Sequence, residues 1–181
     1  GGTRESHPDV ESRLSRKAPG GEWTAPVSIA DGVQPDGTRY ATGNPVLFQP
    51  RNGDLLLFYK VFKPKERWWG ETKTSTDGGR TWSPQQIVWD DGGNTCGNPC
   101  PVQDRQTGTI WLLLTWNHGQ DRESEIKKNT SRDTRRVFVA TVEVQATPPF
   151  LKLHFDLTIT NGFFDLVAQA ACRHIKARIF A

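Results

Sequence analysis

An all-β chain built from repeated four-stranded units is what the sequence predicts, and three observations carry the prediction. The first is a pair of internal echoes. Gly43-Asn44-Pro45-Val46-Leu47-Phe48-Gln49, followed by Asn52-Gly53 and an apolar run Leu55 to Tyr59, returns as Gly97-Asn98-Pro99-Cys100-Pro101-Val102-Gln103, followed by Thr107-Gly108 and Ile110 to Leu114. The offset is 98 − 44 = 54 residues for the Asn-Pro pair and 82 − 23 = 59 for a glycine-pair-to-Trp echo. A period in this range, with four short strands per unit, is that of a β-propeller blade. The second observation is the string Ser75-Thr76-Asp77-Gly78-Gly79-Arg80-Thr81-Trp82, a tight turn between two strand-like segments. The third is composition: 17 Gly, 12 Pro and 7 Trp among 181 residues suit a turn-rich β protein. The expected architecture is a partial β-propeller of about two to three blades.

Taken in order, residues 1–19 are polar and punctuated. Gly20-Gly21-Glu22-Trp23-Thr24-Ala25-Pro26 echoes Gly78-Gly79-Arg80-Thr81-Trp82-Ser83-Pro84, keeping the glycines and the Trp but lacking a Ser and an Asp before them. In the second copy each fixed position has a physical task. Asp77 is placed to accept hydrogen bonds from the N–H groups of its own turn. Gly78 and Gly79 allow positive φ, and Trp82 offers an apolar plate to seal the turn onto the sheet. The runs 55–59 and 110–114 are continuous rather than alternating, which predicts central strands buried on both faces.

From 117 to 136 the chain is strongly charged, which reads as a solvated loop or as a loop reaching over a substrate mouth. Asn129-Thr130-Ser131 within it is a glycosylation sequon, meaningful in a eukaryotic secretory context. Val137 to Val139 restarts a strand, after which the period predicts another Asp-Gly turn that the sequence does not contain. Instead Leu151, Leu153, Phe155, Leu157 and Ile159 alternate as a strand, Asn161-Gly162 predicts a turn, and Phe163 to Phe180 reads as a basic amphipathic helix. The expected division is therefore 1–139 as propeller blades and 140–181 as a divergent tail, the product of truncation or of a tail read out of frame.

A net charge of +3, with basic and acidic residues interleaved, argues against a nucleic-acid partner. No apolar run of membrane-spanning length occurs. The start Gly1-Gly2-Thr3-Arg4 is neither a signal peptide nor an initiating Met, so the chain is expected to begin inside a longer gene product. The three cysteines lack the spacing and His partners of a zinc site and are expected as packing groups or free thiols.

The S-x-D-x-G-x-T-W string of Ser75, Asp77, Gly79, Thr81 and Trp82 resembles the Asp box of the sialidase (neuraminidase) family and of other propellers with this turn. Trp82 to Asp91, Asn94 to Val102 and Thr107 to Trp111 are similar to the early blades of exo-sialidases. Gly1 to Asp9 and Asn44 to Phe48 are similar to sialidase-related BNR-repeat proteins. The resemblance implies a six-bladed propeller and an exo-α-sialidase-type glycosidase that releases terminal sialic acid from glycoconjugates. It implies no metal and no organic cofactor, and a secreted or periplasmic setting.

By position, Arg4 matches a carboxylate-binding arginine and Asp9 the acid/base aspartate. Asn98 matches an asparagine lining the substrate pocket, a role for which Asn44 competes. In the family three arginines clamp the sugar carboxylate, because guanidinium forks fit a planar carboxylate, and a Tyr activated by a Glu is the nucleophile. The segment supplying the first arginine and the blades supplying the others, the Glu and the Tyr, have no counterpart here, and Tyr40 and Tyr59 lie outside the nucleophile context. Six blades at this period need on the order of 330 residues, so an incomplete site is expected. The alternative reading is a non-catalytic propeller that binds a glycan or a protein, with Trp68-Trp69 as a sugar platform or as core. A third is a degenerate fragment without a function of its own. Open blade edges predict self-association.

Overall fold

The computed structural model describes residues 4–63, 67–121, 135–146 and 149–160, together with residues 125 and 128. The expected turn at Asn161-Gly162, the helix from Phe163 to Phe180, the sequon and most of the charged loop lie outside them.

Among the described residues, ten strands are arranged as one small and two large antiparallel sheets. Strands β1 (Ser12–Leu14) and β2 (Val27–Ala30) pair with each other. Strands β3 (Ala41–Phe48), β4 (Leu55–Lys63), β5 (Arg67–Ser75) and β6 (Gln86–Trp89) form a four-stranded meander in chain order. Strands β7 (Thr95–Gln103), β8 (Ile110–Asn117), β9 (Arg135–Ala146) and β10 (Pro149–Thr160) form a second meander of the same order. Each meander has the form of a propeller blade, and the chain is all-β as the repeats predict. Strand β9 runs through residues 139 and 140 without a break, pairs with β8 on one side and carries β10 on the other.

Prolines mark the first strand of each blade. Pro45 in β3 and Pro99 and Pro101 in β7 have no N–H to give a ladder, which is tolerated because each strand pairs on one side only. Both strands carry a bulge at the same repeat position, between Gly43 and Val46 and between Gly97 and Cys100.

Strand β4 sits between two cores. Leu56 and Phe58 face the second blade and pack with Ile110, Leu112, Leu114 and Val142. Leu57, Tyr59 and Val61 face the other way and pack with Ile29, Ala30 and Trp69, flanked by Leu14, Tyr40 and Trp82. Burial on both faces explains the unbroken apolar run in β4. The matching run in β8 departs from the expectation. Ile110, Leu112 and Leu114 are buried against the first blade, while Trp111 and Leu113 are only half-buried, because no described sheet covers their face.

The turn after β5 is built by Asp77. Its Oδ1 accepts the Arg80 N–H at 2.8 Å and the Thr81 N–H at 2.9 Å, and Oδ2 accepts the Thr81 hydroxyl at 2.7 Å. The Ser75 hydroxyl donates to Oδ1 at 2.8 Å and accepts the Gly79 N–H at 2.7 Å. Gly78 and Gly79 have φ of 71° and 82°. These bonds, that of the Thr81 hydroxyl foremost, hold the Asp77 carboxyl well below the usual carboxylate range. Trp82 packs against the β4 core beside Leu14. Its sequence echo does not seal anything: Trp23 is 65 % exposed, because only β1 and β2 precede the first full blade.

Candidate functional site

The two Asn-Pro segments meet. At the bulges of β3 and β7, Asn44 and Asn98 adopt left-handed backbone with φ of 49° and 50°, a conformation that Asn tolerates better than most side-chain-bearing residues. The Asn44 amide Nδ2 donates to Asn98 Oδ1 at 2.5 Å. Asn98 Nδ2 donates onward to the Thr115 hydroxyl at 3.1 Å, and that hydroxyl donates to the Gly97 carbonyl, also at 3.1 Å. Both asparagines are exposed. The sequence left them as rivals for one pocket role; the structure makes them equivalent positions in adjacent blades and joins them.

A buried lysine adjoins the glycines that precede them. Lys60 on β4 pairs in register with Gly43 and is 4 % exposed. Its stem passes between the glycines that precede the two asparagines: a Cβ on Gly43 would stand 3.3 Å from Lys60 Cε, and one on Gly97 3.3 Å from Lys60 Cβ. The ammonium lies 4.3 Å from the centre of the Phe62 ring and 4.1 Å from that of Trp68, which also pack edge to face on each other. Ring faces stabilise a desolvated cation. Glu5 Oε1 lies 3.9 Å from the ammonium.

The N-terminal segment is strapped to β3, which brings Glu5 to this point. The Thr42 N–H donates to the Val10 carbonyl at 3.0 Å, and the Ser12 and Thr42 hydroxyls are bonded at 3.0 Å. Arg4 and Asp9 are exposed on the same segment, whose turns close with the His7 N–H on the Arg4 carbonyl and the Val10 N–H on the His7 carbonyl. The Asp9 carboxylate lies 3.6 Å from His7 Nδ1.

A tyrosine–carboxylate pair exists, on the other face of the blade. The Tyr59 hydroxyl donates to Glu71 Oε2 at 2.8 Å, while Trp69 Nε1 and Gln34 Nε2 donate to Oε1 at 2.8 and 3.1 Å. Tyr59 and Glu71 are each 2 % exposed. Burial first, then the Glu71 charge, pushes the Tyr59 phenol far above its ordinary range, the opposite of nucleophile activation. Tyr40, the other tyrosine, packs edge to face on Trp69. Trp69 is thus core, with its N–H on Glu71, and the Trp68-Trp69 platform reduces to the half-buried Trp68. Cys96 and Cys100 are free, and burial pushes the Cys96 thiol up to about 12. Cys172 lies outside the described residues. Among the described residues no group of His, Cys, Asp and Glu is placed to hold a metal ion, and no helix is long and apolar enough to cross a membrane.

The model of the BNR repeat-like domain matches residues 1–91, half of the chain. The chain belongs to this BNR-repeat-like family. Among solved structures it is similar to the Hadza microbial sialidase Hz136, at 25% identity and a TM-score of 0.49 over 66% of this chain. The aligned part spans 25% of that sialidase. No curated protein matches.

The family match covers the N-terminal strap, Asn44, Lys60 and the Asp77 turn, and ends before Asn98. Sequence reasoning missed Glu5, Lys60 and Thr115 in this BNR-repeat chain. One signal was available for Lys60: a charged residue inside an otherwise apolar run, Leu55 to Phe62, is expensive to bury without a purpose-built cage.

Proposed function

We propose that this chain supplies the glycan-binding part of a sialidase-type glycosidase site, with terminal sialic acid on a glycoconjugate as the substrate class. The observation that carries the reading is the Asn44–Asn98 pair, two exposed carboxamides at matching bulges, each following a glycine that packs on the stem of the caged Lys60. Carboxamides hydrogen-bond sugar hydroxyls and amides, and a buried positive charge in the same blade favours a sugar that carries a carboxylate. Asp9 is assigned as the acid/base group and Arg4 as a carboxylate ligand, on an exposed strap where both can meet a substrate. The tyrosine nucleophile of such chemistry is neither Tyr40 nor Tyr59, since both are committed to the core.

That commitment favours a second reading, a non-catalytic glycan-binding propeller. A paired experiment separates the two. Binding of sialyllactose and of lactose is measured by NMR titration, and turnover of a fluorogenic sialoside is followed with the chain and with Asp9→Ala. Preferential binding of sialyllactose that Asn44→Ala and Asn98→Ala weaken is expected, without turnover by the chain alone. Turnover abolished in Asp9→Ala would give the chain a complete site. Equal affinity for lactose would overturn the sialic acid assignment.

A further inference from the structure

The 54-residue repeat that pairs the asparagines also pairs two arginines, since 105 − 51 = 54. Arg51 lies in the turn between β3 and β4, and Arg105 in the turn between β7 and β8. The two turns are tied together, because the Arg51 N–H donates to Gln103 Oε1 at 2.9 Å. Phe48, Gln49, Arg51, Gln103 and Arg105 line one open cleft of about 460 Å³ between the blades. Its walls are fixed from behind. Gln49 Nε2 donates to the Gly53 carbonyl at 2.6 Å, and Gln103 Nε2 to the Gly108 carbonyl at 3.0 Å, so each glutamine closes the turn that carries its arginine.

Neither guanidinium makes a hydrogen bond or ion pair with a described residue, and no carboxylate lines the cleft. The cleft lies at the Asp77-turn end of the blades: Leu55 pairs with Ser75, so the turn before β4 and the turn after β5 share one end. Phe48 is four residues beyond Asn44 on β3, about 13 Å along the strand.

We propose that this cleft is a second binding site, for the oxyanion groups of an acidic polysaccharide, separate from the asparagine pair. Two guanidinium forks set one blade apart present ten N–H donors to successive carboxylate or sulfate groups. The Phe48 ring gives an apolar wall for a sugar face, and the cleft is open enough for a chain to pass through rather than end inside. The inference does not depend on the sialic acid reading, because none of its residues belongs to that site.

The test uses the full chain with three probes: a heparin-derived sulfated tetrasaccharide, a tetragalacturonate and the neutral cellotetraose. Affinities are measured by fluorescence anisotropy or calorimetry for the wild type, R51A/R105A and a control, R80A, which removes one exposed positive charge from the neighbouring turn. The wild type is expected to bind the acidic probes and not cellotetraose. R51A/R105A is expected to lose at least tenfold, and R80A less than twofold. Near-UV circular dichroism checks that the double variant keeps its fold, as exposed turn residues allow. Unchanged affinity in a folded R51A/R105A, an equal loss in R80A, or binding of cellotetraose as tight as that of the acidic probes would each overturn the proposal. Competition by inorganic sulfate as effective, per anion, as the tetrasaccharide would overturn the polysaccharide and leave a small-anion site.

Discussion

Glu71 and Lys60 are both buried charges on the first blade, one on each face, and their surroundings differ in kind. Glu71 receives hydrogen bonds from Tyr59, Trp69 and Gln34, drawn from two strands and a loop. Its charge is spent on holding those elements together. Lys60 is held by two ring faces and a carboxylate 3.9 Å away, and its stem passes between the glycines that precede two exposed asparagines. Burial of a charge is therefore not by itself a sign of function. Which partners surround it, and whether an accessible polar group stands near it, separates the strut from the candidate site.

The comparison is tested most severely at Glu71. Glu71→Ala leaves the buried Tyr59 hydroxyl and Trp69 Nε1 without their acceptor, at roughly 1–3 kcal/mol for each unpaired group, while Gln34 Nε2 keeps the Gly32 carbonyl. A loss of about 3 kcal/mol or more in urea unfolding is expected, with Glu71→Gln closer to wild type. A Glu71→Ala chain that unfolds at the wild-type urea concentration would remove the structural role.

Gly43→Ala comes next. The added Cβ would stand 2.6 Å from Phe62 Cε2, so the ring that cages Lys60 must move. Overpacking of this kind costs about 1–3 kcal/mol, and weaker sialyllactose binding should accompany the lower thermal midpoint. Loss of stability with binding intact would disconnect the cage from the site.

Lys60→Met keeps the stem and removes the charge. Loss of the cation–ring contacts predicts a stability change of about 1 kcal/mol but a loss of sialyllactose affinity of about tenfold. If Lys60→Met instead destabilises as much as Glu71→Ala and binds normally, both charges are struts.

The smallest effect is with pH. The folded Asp77 carboxyl lies below its unfolded value, so its contribution is fully present above about pH 4 and is lost as pH falls through the folded value. Stability should thus be level from pH 7 to about pH 5 and decline on further acidification. Asp77→Asn should flatten the acid limb in pH-dependent thermal melts, and an unaltered limb would assign the decline to other carboxylates.

Much of the blade was legible because its rules are local. The continuous apolar run of β4 and the Asp77 turn each state a backbone requirement within ten residues, and the structure has them where they were expected, whereas the mid-strand bulges at the two Gly-Asn-Pro strings appear only in the structure. Trp23 and Trp111 were not legible. Their burial depends on whether another sheet lies over them, which a local pattern does not encode. Lys60 was not legible as a caged cation either, since its cage combines neighbours on β4 and β5 with glycines on two further strands.

The residues read alone locate the central strands, the Asp77 turn and the repeat that makes Asn44 the counterpart of Asn98, because periodicity, glycine and proline act along the chain. Contacts across strands and blades add that those two side chains bond to each other, that Tyr59 is locked away on Glu71, and that Arg51 and Arg105 share a cleft. The first and last are contacts between blades 54 residues apart, fixed by how two sheets stack, and the second is a cross-strand pair of β4 and β5 sealed off by the elements packed over it.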